Sequence, residues 1–206
     1  MNWKRVLAGV LLGGAALVAL AAWWYLPSLR AEVRLAPVTE DAVERFVVGG
    51  ERIYRQGDPA WASEKIGGSG ERLAAVGCTV CCLSMALAVH DIALNPSELN
   101  RQLKAADGYT YRGWVKWAAV ESVAKEKVRI DLPGNPTHNV VNGALAKGDP
   151  VLVKVRLASG IQHWVLLVGR EGNEYLMKDP LGDGKGLAPL SQIGSDILAV
   201  RIVRGS

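Results

Sequence analysis

Gly77-Cys78-Thr79-Val80-Cys81-Cys82-Leu83-Ser84-Met85-Ala86-Leu87 sets a cysteine directly behind a glycine at the mouth of an apolar run. A thiol is a good nucleophile only as thiolate, and a helix N-terminus favours that anion through its unpaired N–H groups and the positive end of its dipole. Cys78 stands where this help is available if the run is a helix, which its composition predicts from about Thr79 to Val89. Val80, Leu83, Met85, Ala86 and Leu87 would bury such a helix and so hold the sulfur in place. The glycine is read as the point where the backbone turns sharply into it. The plainer alternative makes Cys78 one of three small hydrophobes in a core helix, since free cysteine is among the most buried residue types. Cys78, Cys81 and Cys82 fall at i, i+3 and i+4 on one helix face, and the latter two read as core filler beneath the first.

Working outward, 206 residues, half of them apolar, hold one sizeable domain plus an appendage. The appendage comes first. After Lys4 and Arg5, Val6 to Leu26 carries no charge, and a helix of that length spans roughly 30 Å, the thickness of a bilayer's hydrocarbon core. The expectation is a membrane anchor over residues 6–26, with 1–5 cytoplasmic, Trp23-Trp24-Tyr25 at the far interface and the rest of the chain outside. Ala19-Leu20-Ala21 has the small-x-small form of a processing site, so a cleaved signal peptide, and with it a secreted product, is the rival reading. Residues 27–45, mixed and charged, read as a stalk, and 46–206 as the domain.

A net charge of +4 with a pI near 9.0 is mild and suits the solvated exterior of a bacterial envelope protein. There is no dense basic patch interleaved with aromatics, which excludes nucleic acid as the expected partner. Three cysteines facing an oxidising compartment leave at least one unpaired, and adjacent Cys81 and Cys82 could bridge only with strained geometry, so no structural disulfide is expected. Crowded on one helical turn, they also lack the paired spacing of a zinc site; neither metal nor cofactor is expected.

A short strand at Ile53–Tyr54 is predicted to run into a Gly57-Asp58-Pro59 turn. Asn95-Pro96 starts a helix to about Leu103, and Trp114, Trp117, Ala118 and Val123 fall at helical spacing on another. A strand at Val128–Leu132 and a helix at Val140–Ala146 follow. Beyond Pro150 the character is β: Val151–Leu157, Gln162–Gly169, then Glu174–Lys178 after a hairpin turn at Glu171-Gly172-Asn173, and last Ile197–Val203. Helices first and an antiparallel sheet afterwards is an α+β pattern.

A cysteine nucleophile needs a base, and the base an orienting partner. Of three histidines, His90 sits about three turns along the same helix, out of reach of Cys78, and His138 lies in a loop with nothing to support it. His163 opens a strand directly after a turn. Asp179, at the end of the neighbouring strand, falls beside it if the two strands pair antiparallel. Gln56, upstream of the cysteine helix, has the amide chemistry of an oxyanion donor. Taken singly each has an ordinary structural reading; their order, Gln, Cys, His, Asp, on those elements is what points to acyl transfer.

In these residues the chain resembles the papain-like cysteine peptidases related to the bacteriocin-leader-processing proteases, in their stand-alone C39-like branch. The likeness covers about Tyr54 to Pro180 and is carried by YRQGDPAW at Tyr54–Trp61, GCTVCCLSMAL at Gly77–Leu87, NPSELNRQL at Asn95–Leu103, GDPVLVKV at Gly148–Val155, QHWVLLVG at Gln162–Gly169, and Asp179-Pro180. It implies a papain-like fold, with a helical half bearing Cys78 as nucleophile and a sheet half bearing His163 as general base and acid and Asp179 as its orienting residue. Gln56 is implied as oxyanion donor. One departure is that Thr79-Val80 stand where the family has glycine and proline after the cysteine. The expected function is that of a membrane-anchored, extracytoplasmic cysteine peptidase or amidase acting on a peptide, protein or peptidoglycan-like substrate. Two alternatives remain at this stage: a catalytically silent papain-like domain that binds such material, and a thiol-disulfide oxidoreductase using Cys78 and Cys81.

Overall fold

A computed structural model of the protein describes residues 34–50 and 52–206. The anchor or signal peptide expected over 6–26 and the first part of the stalk lie outside the described residues. No helix among the described residues is long and apolar enough to cross a membrane.

The chain is α+β. In order it forms β1 (Val38–Val47), α1 (Leu73–Val76), α2 (Cys78–Val89), α3 (Pro96–Ala105), α4 (Trp117–Val123), β2 (Val128–Asp131), α5 (His138–Ala146), β3 (Val151–Arg156), β4 (Gln162–Lys178), β5 (Ala188–Pro189), a 3-10 turn at Leu190–Ile193 and β6 (Ala199–Gly205). The strands make one antiparallel sheet in the order β1-β4-β3-β6-β2, with β5 also on β4. Alternate residues of its central strands serve two cores. Leu152, Leu166, Val168 and Val203 join the residues of α2, α3 and α4 on one face. Val151, Val153, Val165, Leu167, Val200 and Ile202 join Val141, Ala144 and Leu145 of α5 on the other. Strand periodicity alone thus places α2 and α5 on opposite sides of the sheet.

Local chemistry sets the helix ends. Asn95 caps α3 in a reciprocal capping box, its Oδ1 accepting from the Glu98 N–H at 2.9 Å and its own N–H donating to the Glu98 carboxylate at 2.9 Å, with Pro96 in the first turn. In α2 every residue from Val80 to Leu87 is buried, so it has no solvated side and only its two ends reach the surface.

The structure departs from the sequence expectations in several places. β1 takes up residues assigned to the stalk of 27–45, so the sheet begins before Phe46; its register against β4 shifts twice, which destroys the clean alternation that marks a strand. The strand expected at Ile53–Tyr54 is absent, the Tyr54 N–H donating instead to Met85 Sδ at 3.2 Å. α4 starts at Trp117, leaving Trp114 in the preceding loop. Residues 162–178 are extended without a break, so the two strands expected there are joined through their turn. Straight, a strand of that length would hold its ends roughly 50 Å apart, yet His163, near its start, is hydrogen-bonded to Asp179, just past its end. β4 therefore doubles back on itself, with Gly172 at φ +58° near its middle, where the hairpin turn of Glu171-Gly172-Asn173 was expected.

Candidate active site

α1 and α2 are separated by Gly77 alone. Its φ of −78° is open to any residue, so no unusual turn demands the glycine. Space does: a Cβ there would stand 2.5 Å from the Leu73 carbonyl oxygen. The glycine lets α1 and α2 close up and puts Cys78 on the first turn of α2. The first helical hydrogen bond of that turn is Cys81 N–H to Gly77 O at 3.0 Å, leaving the N–H groups of Cys78, Thr79 and Val80 without an intrahelical acceptor.

The structure brings Cys78, His163, Asp179 and Gln56 together. His163 is 2 % exposed, and its Nε2 lies 2.7 Å from Asp179 Oδ1, which also accepts the Leu181 N–H at 2.8 Å. The carboxylate is thereby fixed from two directions. Burial works against ionisation of Asp179, but the bonds to His163 and Leu181 outweigh it and hold its pKa below the usual carboxylate range. Burial likewise disfavours a charged His163; bonds to Asp179 and to Cys78, with the charges of both, raise its pKa to about 9. Burial would push the Cys78 thiol up, yet hydrogen bonding and charge from His163, a backbone hydrogen bond from Trp164 and one from the Thr79 side chain bring it below its ordinary value. An acid shifted down beside a base shifted up favours the thiolate–imidazolium pair over the neutral pair.

Gln56, 4 % exposed, ties the two sides together. Its N–H donates to Pro180 O at 3.0 Å, next to Asp179, and its Nε2 donates to Ala74 O at 2.7 Å, one turn before Cys78. An amide nitrogen has two protons, so one N–H remains for a ligand; Gln56 Oε1 is buried without a partner.

Cys81 and Cys82 differ sharply from Cys78. Both are fully buried, and burial followed by the Cys78 charge pushes each thiol above its ordinary range. All three cysteines are free thiols. Cys82 donates to the Trp164 carbonyl at 3.3 Å, so both ends of this residue's main chain meet a sulfur of α2. Of the other histidines, His90 Nε2 lies 2.9 Å from Val203 O and His138 Nδ1 lies 3.0 Å from the Tyr175 hydroxyl, both away from this site.

Cys78, His163 and Gln56 line a cleft of about 530 Å³ between the first turn of α2 and the start of β4. Its outer wall is the loop of 109–116, which presses onto Gly68: at φ +78° a Cβ there would stand 1.9 Å from Thr110 O. Trp117 and Trp164 pack edge to face at 5.8 Å on the floor. Neither these tryptophans nor Arg201 beside them was singled out from sequence as part of the site. The signal for Arg201 was a charge flanked on both sides by apolar pairs, Ala199-Val200 and Ile202-Val203. Among the described residues no cluster of histidine, cysteine or carboxylate side chains could hold a metal ion.

The profile of the Peptidase C39 family matches residues 74–194, more than half of the chain. Among solved structures, a protein provisionally designated a C39-like peptidase, from Bacillus anthracis, superposes with a TM-score of 0.50 at 17 % identity, covering 80 % of this chain and all of that one. At that identity the likeness speaks for the fold. A double glycine motif protease from an AMS/PCAT transporter, solved in complex with its leader peptide, aligns with a TM-score of 0.41 at 15 % identity over 82 % of this chain and 98 % of that one. No curated protein matches the sequence.

Proposed function

From the premise that this chain belongs to the Peptidase C39 family, we propose that it cleaves a peptide or amide bond with Cys78 as nucleophile, His163 as general base and acid, Asp179 as positioning residue and Gln56 as oxyanion donor. The observation that carries this reading is the pairing in one cleft of a lowered thiol with a raised imidazole that is anchored through Nε2 at 2.7 Å. The Asp179 bond occupies Nε2 and leaves Nδ1 to exchange a proton with the sulfur.

In the reaction, the Cys78 proton passes to His163 and the thiolate attacks the substrate carbonyl carbon. The oxygen that gains charge takes hydrogen bonds from the Cys78 N–H and the second N–H of Gln56. As the tetrahedral adduct collapses, the C–N bond breaks and His163 returns its proton to the leaving amine. Water, deprotonated by the now neutral His163, then attacks the thioester, releases the acid and restores the Cys78 thiol. Thr79 adds a hydroxyl to the surroundings of the sulfur where the family carries glycine, and so supports the anion.

Limited iodoacetamide at neutral pH, read by peptide mass mapping, labels Cys78 well ahead of Cys81 and Cys82, and Cys78→Ala abolishes turnover of a fluorogenic peptide library. Equal labelling of the three, or turnover that survives Cys78→Ala, overturns the reading. The anchor at 6–26 and an outward-facing domain belong to the same proposal and rest on the uncharged run from Val6 to Leu26. Expressed in a bacterium, the chain then resists carbonate extraction and is digested by protease added to spheroplasts; release by carbonate contradicts the anchor.

A further inference from the structure

Three cations line the cleft, Arg112, Lys154 and Arg201, against a single carboxylate among its lining residues, Glu71. The first is occupied by its own loop, lying over the rings of Tyr111 and Trp114 and donating to the Tyr111 hydroxyl at 2.8 Å. The other two are placed by the sheet. Lys154 pairs with Trp164 across β3 and β4 and with Ala199 across β3 and β6, while Leu152 pairs with Arg201. Lys154 and Arg201 are thus diagonal neighbours on the α2 face, within reach of one another's ligands.

Arg201 is built in unusually for an arginine. Its guanidinium lies 5.2 Å from the Trp117 ring centroid and 5.7 Å from that of Trp164. The tryptophan faces hold the charge where burial disfavours it, and burial lowers its pKa from the ordinary value. Its one hydrogen bond is to Val200 O at 2.7 Å, and its Nε is buried without a partner. Among the described residues neither Arg201 nor Lys154 forms an ion pair. A half-buried guanidinium is costly to keep without an anion, and one held against two aromatic rings is already organised to receive one.

We propose that Arg201, assisted by Lys154, forms an anionic subsite of the cleft that selects peptides presenting a carboxylate, either an acidic side chain or the free C-terminus, close to the scissile bond. This rests on the cleft being the peptidase site, and it names the substrate class for it. Arg201 supplies directional N–H donors and Lys154 adds a mobile charge, and both line the same cleft as His163, the residue that precedes Trp164 in β4.

The test uses the full 206-residue chain and three internally quenched octapeptide libraries. One carries Asp or Glu at interior positions with an amidated C-terminus, one the Asn or Gln equivalents with the same amide, and one the Asn or Gln equivalents with a free C-terminal carboxylate. Wild type is expected to favour one of the carboxylate libraries at least tenfold in kcat/KM over the neutral library, and which one it favours identifies the source of the charge. Arg201→Met, which keeps apolar bulk against the tryptophans, removes that preference while retaining turnover of the neutral library; Arg201→Lys keeps part of it, and Lys154→Gln weakens it severalfold. The same libraries are titrated against Cys78→Ala by tryptophan fluorescence at low and high salt. Carboxylate-dependent, salt-sensitive binding without turnover in wild type would sustain the subsite and sink the peptidase reading. Turnover with equal kcat/KM for all three libraries sinks the subsite and leaves the peptidase standing. Binding that is absent, or blind to the carboxylate, overturns the subsite whatever Arg201→Met does to folding.

Discussion

Cys78 and Cys82 stand one turn apart on the same face of α2, and both sulfurs meet the main chain of Trp164, yet their acidities are driven in opposite directions. The first turn faces a cleft and the second faces the core. What separates the thiols is first the imidazole of His163 beside Cys78, and second which pole of the neighbouring peptide points at each sulfur. The first receives a hydrogen bond, as a thiolate requires; the second must supply a proton to a carbonyl oxygen, as only a thiol can. Burial alone would have kept both protonated. His163 decides the matter for Cys78, and nothing equivalent faces Cys82. The lesson is that cysteines sharing one helix face divide into two kinds, a thiol in the cleft driven toward ionisation and two in the core kept protonated, according to what surrounds each sulfur.

The sharpest way to break this contrast is at the far end of the relay. Asp179→Asn keeps the shape but removes the charge that raises His163. Stabilisation of the imidazolium falls, the thiolate loses its counter-ion, and kcat/KM is expected to drop by about 10²–10⁴-fold. The pH profile gives the more specific reading. In wild type the active pair needs Cys78 ionised, which sets the acid limb below the ordinary thiol value, and His163 protonated, which sets the alkaline limb at about 9. In the variant the alkaline limb moves down and the acid limb moves up, narrowing the bell. An unchanged alkaline limb would show that His163 is not held up by Asp179.

Stability follows the same groups with the sign worked out for each. His163 is raised from 6.5, so its contribution is complete below 6.5 and lost as pH climbs through about 9. Asp179 is lowered from 3.8, so its contribution is complete above 3.8 and lost as pH falls through its folded value. The gap in melting temperature between wild type and Asp179→Asn should be widest between those two ordinary values.

The side chains that meet in the cleft were legible in the sequence because few residues of the right chemistry exist. Three histidines leave one on a strand that follows a turn, and Asp179 closes the neighbouring stretch. Gln56 was legible as an amide upstream of the helix, though not as the residue that bonds to both Ala74 and Pro180. The contribution of Trp164 was unreadable in principle, since it comes from backbone N–H and C=O groups that every residue carries. Arg201 was hidden differently. Its strand reads as an ordinary apolar one, and only the pairing of Leu152 with Arg201 and Lys154 with Trp164 shows that the charge falls on the α2 face, inside the cleft. β1 escaped because two register shifts scrambled its period, and Gly77 was assigned to a sharp turn when its cause is a carbonyl 2.5 Å from where a Cβ would be.

Cys82→Ser tests the other half of the contrast, with the smallest effect on activity. A hydroxyl on a shorter bond reaches less far toward the Trp164 carbonyl, now 3.3 Å from the sulfur, and it enters a site with no exposure to water. Desolvating a poorly bonded hydroxyl should cost about 1–3 kcal/mol of stability, read as a shift in urea midpoint at constant slope. Cys82→Ala leaves no polar group to desolvate and should cost less, despite removing more atoms. Activity per folded molecule should stay within about threefold of wild type in both, since the sulfur touches the site only through the carbonyl of Trp164. If either variant instead loses activity as Cys78→Ala does while still folding, the second turn of α2 takes part in the chemistry, and the division between cleft and core on this helix must be redrawn.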